Sequence, residues 1–192
     1  MKIIGILLAG YLLGSIPFAL VAGKIVSGKD IRNFGSGNLG GTNAIRVLGW
    51  QAGLAVIAAD IFKGALATYL GLLLGNEVTG MVAGIAAALG HCYPAFAGFR
   101  GGKGVATGTG VFLVLAPKAV FFGAIVFAIT LLIFRYVSLS SMTAALTVAS
   151  LAWAEGMHPI IIIASWLLVA FVISRHHSNI RRLFSGKENK IR

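Results

Sequence analysis

The chain has 192 residues, of which 58% are hydrophobic and 11% charged, with a formal net charge of +11. A soluble domain is about a quarter charged, so the composition excludes a soluble fold and indicates an integral membrane protein whose polar stretches are too short to bury cores of their own. Basic charge confined to the connections between apolar runs fits membrane topology and anionic headgroups, not nucleic acid, whose binders carry charge on a folded soluble face.

Residues 3–23 form the first predicted span. Met1-Lys2 ahead of it has the look of a signal peptide, but no convincing small-residue cleavage site follows. The run is long enough to cross a bilayer and is read as a retained helix.

A glycine-rich basic loop comes next: Asn33-Phe34-Gly35-Ser36-Gly37-Asn38-Leu39-Gly40-Gly41-Thr42-Asn43, with Arg32 and Arg46 beside it. Glycines free the backbone to bend N–H groups toward an anion. Ser36, Asn38, Thr42 and Asn43 add short polar side chains, and the arginines add charge. Lipid cannot satisfy such backbone, so the loop faces water or lies within protein. A polar interfacial loop whose glycines merely turn the chain would use similar residues; the clustered glycines, amides and flanking arginines favour anion binding. Gly35-x-Gly37-x-x-Gly40 formally matches a dinucleotide fingerprint, with Asp60 about twenty residues on. No strand precedes it, no βαβ unit fits, and Asp60 lies in an apolar run, so the match implies no nucleotide.

The second predicted span, 52–74, holds Asp60 and Lys63 at i, i+3. Intramembrane charges suggest function, but these two can pair, and structural pairing is the preferred reading. The third, 78–97, contains His91-Cys92-Tyr93-Pro94. His91 is read as a packed interfacial histidine placed to orient the next segment, Gly98-Phe99-Arg100-Gly101-Gly102-Lys103-Gly104. This second glycine loop fails as a P-loop: Ala97 replaces the first glycine and Gly104 the Ser/Thr after Lys103. Glycines flanking Lys103 let a ligand approach closely. Snorkelling to water would account equally for Lys103 and Arg100; a functional role is preferred for Lys103 alone.

Further spans are predicted at 104–116, 118–134, 138–154 and 158–174. The fourth is short, and Pro117 separates it from the fifth. Counting it places Lys24, Lys29, Arg32, Arg46, Arg100, Lys103, Arg135, Arg175 and the C-terminal basic residues on one face, with only Lys2 and Lys118 opposite. By the positive-inside rule the rich face is cytoplasmic. The N-terminus is then outside and the C-terminus inside. Both glycine loops, Ser138–Ser141 and the His176 region gather on the cytoplasmic side. Ser138 and Ser141 share a helix face; Ser138 reads as a cap and Ser141 as the better ligand candidate. His176 and Asn179 also share a face, and the usual helix-end cation explains Arg175 but not this pair. Residues 1–183 read as one transmembrane domain, and 184–192 as a short, basic, frayed tail.

The single Cys92 excludes an internal disulfide, and no spacing suggests a metal site. No His-x-x-x-x-Asp dyad, serine elbow or acidic pair is present. Any reaction proceeds without an obvious protein base.

Gly14-Ser15-Ile16-Pro17, the Arg32–Asn43 loop, Gly90-His91-Cys92-Tyr93-Pro94, Gly101-Gly102-Lys103-Gly104-Val105-Ala106-Thr107 and Arg175-His176-His177-Ser178-Asn179-Ile180 closely resemble the bacterial acyl-phosphate:glycerol-3-phosphate acyltransferase family. The likeness runs in order along essentially the whole chain. It implies an all-α inner-membrane protein of about seven transmembrane helices, with the glycine loops forming a site at the cytoplasmic face. It also implies transfer of a fatty acyl group from acyl phosphate to the 1-hydroxyl of sn-glycerol 3-phosphate, giving lysophosphatidic acid, with no metal and no cofactor. Lys103, His176 and Asn179 would stand at the reaction centre. Ser36, Gly37, Asn38, Thr42, Asn43, Arg46, Gly101, Gly102, Gly104 and Ser141 would bind substrate. The family often has Ala at position 41 and another residue at 177, so Gly41 and His177 are mild departures.

The partners expected are acyl phosphate, glycerol 3-phosphate and membrane lipid, with no nucleic acid; a monomer is compatible with every feature. Two other readings use the same loops without chemistry: a transporter or receptor for a phosphorylated metabolite, and a lipid-binding scaffold. Transport would place a site near the bilayer midplane with two-sided access, whereas these motifs gather on one face.

Overall fold

The computed structural model describes residues 2–191, and among them the regular structure is helical throughout. Ten α-helices run in order: α1 (Lys2–Gly14), α2 (Phe18–Ser27), α3 (Gly41–Leu48), α4 (Trp50–Leu74), α5 (Glu77–Cys92), α6 (Val105–Leu115), α7 (Pro117–Phe134), α8 (Val137–Ala154), α9 (Pro159–Arg175) and α10 (His177–Phe184). Short 3-10 turns at Ile31–Asn33 and Ala95–Ala97 lie inside the two glycine-rich connections. Among the described residues five helical stretches are long and apolar enough to cross a membrane, and α9 with α10 makes a sixth if the pair is one bent span. Membrane-facing side chains such as Leu132, Phe121 and Leu73 stay outside the fold, as expected where lipid rather than water surrounds the helices.

Each predicted span corresponds to a helix, but three details differ. The first is broken: α1 ends at Gly14 and α2 begins at Phe18. Pro17 offers no N–H to continue the ladder. The fourth, α6, has only 11 residues, about 16 Å of helix. That is roughly half a hydrocarbon core, so 104–116 does not cross by its own length. The seventh, α9, is followed just past its predicted end by a 59° bend into α10, with His176 at the joint.

The chain divides into two compact units, Met1–Leu115 and Ala116–Arg192. In the first, close helix approach rests on small residues. A Cβ at Gly14 would overlap the Ala87 backbone, one at Gly64 the Thr107 carbonyl, and one at Gly110 the Ile61 carbonyl. This is the small-residue packing that membrane helices use. Ala19, Ile31, Leu39, Ala44, Val56 and Ala97 form an apolar floor under the first glycine loop.

The second unit holds its tail in place. Glu188 Oε1 accepts from Ser138 Oγ at 2.8 Å and Asn179 Nδ2 at 2.6 Å, while Oε2 accepts from Arg182 Nε at 2.7 Å. The Ile191 N–H donates to the Arg135 carbonyl at 2.9 Å. The tail is therefore clasped, not frayed, and Ser138 holds Glu188 in place of capping α8, whose N-cap is Tyr136.

Candidate active site

The first glycine loop is built from within. Asn43 is buried, and its amide is shared among three backbone groups. Nδ2 donates to the carbonyls of Ile31 and Phe34, each at 3.2 Å, and Oδ1 accepts the Ser36 N–H at 2.8 Å. Asn43, expected to bind substrate, instead shapes the loop. Gly35 takes φ 61° and Gly37 φ 68°, left-handed backbone that glycine adopts at no steric cost. A Cβ at Gly35 would also strike Asn43 Oδ1.

The loop then enters α3, so Gly41, Thr42, Asn43 and Arg46 lie on a helix and not, as the sequence suggested for the first three, in a coil. Thr42 and Arg46 are i, i+4 and share a face. Arg46, Ser36 and Gly37 are exposed, open to a ligand from outside the fold.

A second anion-ready terminus stands beside it. Gly101–Gly104 leads directly into α6, and the first four N–H groups of a helix lack intrahelical partners and carry partial positive charge. Such a terminus favours anions. Gly104, at φ 83°, allows the turn. The two loops are tied together: Asn38 Nδ2 donates to the Gly101 carbonyl at 3.4 Å, and Arg32 donates to the Ala97 carbonyl at 2.9 Å. Asp30 fixes Arg32 by a 2.6 Å ion pair. The hydrogen bonds from Arg32 hold the Asp30 carboxyl down to about 2, so the latch stays charged through the physiological range. The sequence offered Arg32 only as a charge flanking the loop and gave Asp30 no role. Their i, i+2 spacing gave no sign of a link to position 97.

Lys103 is partly buried at the start of this turn, and Gly102 and Gly104 beside it are buried. The structure thus brings Asn38 and the Gly101–Gly104 turn together.

In the second unit His176 and Asn179 are both buried. His176 Nδ1 lies 2.8 Å from the Val172 carbonyl; a carbonyl only accepts, so Nδ1 carries the proton. Asn179 donates to Glu188. Burial pushes the Glu188 carboxyl up, but the hydrogen bonds from Asn179, Ser138 and Arg182 together outweigh it and leave the pKa below its usual value. Sequence reasoning missed Glu188. Its only signal was a lone acid in a basic tail. Ser141 is buried on α8, one turn beyond Ser138.

A family model described as glycerol-3-phosphate acyltransferase matches residues 4–186. The chain belongs to that family. Glycerol-3-phosphate acyltransferase 2 of Bacillus anthracis is 51% identical over 187 residues, covering 96% of this chain and 97% of that relative. The glycerol-3-phosphate acyltransferase of Geobacillus kaustophilus is 48% identical over 189 residues, covering 97% and 95%. A crystal structure of PlsY (YgiH), an integral membrane glycerol 3-phosphate acyltransferase in its glycerol 3-phosphate form, superposes with a TM-score of 0.95 at 36% identity over 100% of this chain and 96% of that one. The lysophosphatidic acid form gives 0.91 at 34% identity, with the same coverage. The glycerol-3-phosphate acyltransferase fold and its multi-pass membrane character are therefore those of this chain.

Proposed function

We propose that this chain transfers a fatty acyl group from acyl phosphate to the 1-hydroxyl of sn-glycerol 3-phosphate, giving lysophosphatidic acid and inorganic phosphate, at the cytoplasmic face of a bacterial inner membrane. The observation that carries the reading is the pair of glycine-entered helix N-termini, α3 and α6, joined through Asn38 and Gly101, with Lys103 just ahead of α6. A phosphate-bearing donor suits backbone N–H groups and one fixed ammonium.

In the proposed reaction the acceptor's 1-hydroxyl oxygen attacks the acyl carbon. The new ester C–O bond forms as the acyl–phosphate C–O bond breaks, and the released phosphate keeps the electron pair. Lys103 and the N–H groups of Gly101 and Gly104 neutralise charge on the donor, while the Gly102 N–H, donated to the His91 carbonyl at 3.1 Å, holds the turn. As the family resemblance implies, Ser36, Asn38, Thr42, Arg46 and Ser141 would hold substrate oxygens and His176 and Asn179 would orient the acceptor; Gly37, whose N–H donates to the Phe34 carbonyl at 3.0 Å, serves the turn instead. Asn43 contributes by shaping the loop. The hydroxyl proton passes to the acceptor's own phosphate, whose second pKa of about 6 makes its dianion a competent base at neutral pH. An activated donor needs only modest assistance.

His176→Asn tests this, paired with a phosphonate acceptor of altered pKa. The pH profile is expected to follow the acceptor, with measurable turnover in the variant. A profile indifferent to the acceptor, together with a dead His176→Asn that still binds it, would make histidine the base. A transporter of a phosphorylated metabolite would instead move glycerol 3-phosphate across vesicles and form no product.

A further inference from the structure

A buried charged cluster lies against the second glycine loop, and the proposed reaction uses none of it. Asp60 and Lys63 on α4 are each 1% exposed, and His91 near the end of α5 is 6% exposed. Lys63 Nζ lies 2.8 Å from Asp60 Oδ1. It also donates to the Ile16 carbonyl at 2.9 Å, in the break between α1 and α2. His91 Nδ1 lies 3.3 Å from the same Asp60 oxygen. Asp60 Oδ2 has no hydrogen-bond partner among the described residues. Apolar side chains of similar volume often stabilise as well as a buried ion cluster or better. Packing alone therefore gives little reason for three ionisable groups here.

The other side of His91 supplies the reason. Its backbone carbonyl accepts the Gly102 N–H at 3.1 Å. A Cβ at Gly101 would overlap that carbonyl, and a Cβ at Gly102 would overlap the imidazole Nε2. The loop rests directly on this residue, and glycine is required at both positions because His91 fills the space. The imidazole contacts the loop with one nitrogen and the carboxylate of Asp60 with the other. Lys63 in turn fixes Asp60 to the broken first span.

We propose that His91, oriented by Asp60 and Lys63, is a positioning residue that sets the Gly101–Gly104 turn and through it the ammonium of Lys103. The proposal rests on the acyltransferase reading for what Lys103 does, but not for where His91 acts. The Gly14-Ser15-Ile16-Pro17 break gains a role: it exposes the carbonyl that anchors Lys63.

Two measurements test it. The first is a double-mutant cycle of His91→Asn and Lys103→Ala, read as kcat with palmitoyl phosphate and glycerol 3-phosphate. Residues that act as a unit are non-additive. His91→Asn is expected to lower kcat at least about tenfold alone but by less than about threefold in the Lys103→Ala background. Equal losses in both backgrounds would overturn the proposal, because a general structural defect does not depend on Lys103. The second is amide hydrogen exchange, which needs no turnover. Residues 98–104 should exchange faster in His91→Asn while α7 to α9 stay unchanged; unaltered exchange in this segment would also overturn it. If wild type forms no lysophosphatidic acid, the acyltransferase reading fails, and the exchange still decides the positioning role. Should His91→Asn not fold, Asp60→Asn combined with Lys63→Met removes the charges at similar volume and is read the same way.

Discussion

Asn43 holds the backbone of Ser36: its side-chain oxygen accepts the Ser36 N–H at 2.8 Å from within α3, while its nitrogen binds the carbonyls of Ile31 and Phe34. One buried amide thus fixes both ends of a turn that has two left-handed glycines. Asn43→Asp keeps the acceptor but turns a second oxygen toward two carbonyls. Leaving buried carbonyls unpaired costs about 1–3 kcal/mol each. A melting temperature several degrees lower in detergent, with activity falling alongside it, is expected. An unchanged melting curve would show that the loop does not depend on this amide.

Lys103→Ala and Arg46→Ala should each lose most activity while inserting and folding as wild type. Removing one donor aimed at the charge that develops in the reaction typically lowers the rate by about 10²–10³. Turnover at the wild-type level in either variant, at matched protein amount, would return that residue to an interfacial cation reaching for water.

The Glu188 clasp makes a pH-dependent statement. Its folded pKa lies below the usual 4.5. A depressed acid contributes stability that is present above the unfolded pKa and is lost as pH falls through the folded value. Glu188→Gln places an amide nitrogen among donors that need an acceptor. The variant should therefore melt lower than wild type at pH 7, and the gap should close as pH falls below 4.5. A constant gap down to pH 3 would show that the carboxylate charge is not what binds the tail.

The apolar helices were legible because long hydrophobic runs have few alternatives in lipid. Pairing of Asp60 with Lys63 was legible too, since i, i+3 spacing puts both on one helix face. Other features depend on tertiary contact. Asn43 reads as a ligand in sequence because an amide in a glycine loop looks available; only its burial shows that the loop's own backbone occupies it. Arg32 reaches across 65 residues to Ala97, and no local pattern encodes that. The tail misleads for the opposite reason. Its composition looks disordered, yet one carboxylate meets Ser138, Asn179 and Arg182.

The proposed orientation rests on the lysine and arginine bias, because α6 is too short to secure it by span counting. Reporter fusions at the two ends should place the N-terminus outside and the C-terminus in the cytoplasm. A cytoplasmic N-terminus would move the glycine loops to the other face and contradict the proposed site of synthesis.

The most direct measurement gives purified protein glycerol 3-phosphate with palmitoyl phosphate in one reaction and palmitoyl-CoA in another, both in EDTA, and follows lysophosphatidic acid. Product is expected with palmitoyl phosphate, one inorganic phosphate released per acyl group transferred, and none with the thioester. Robust turnover with palmitoyl-CoA, or no product from palmitoyl phosphate, would contradict the proposed reaction.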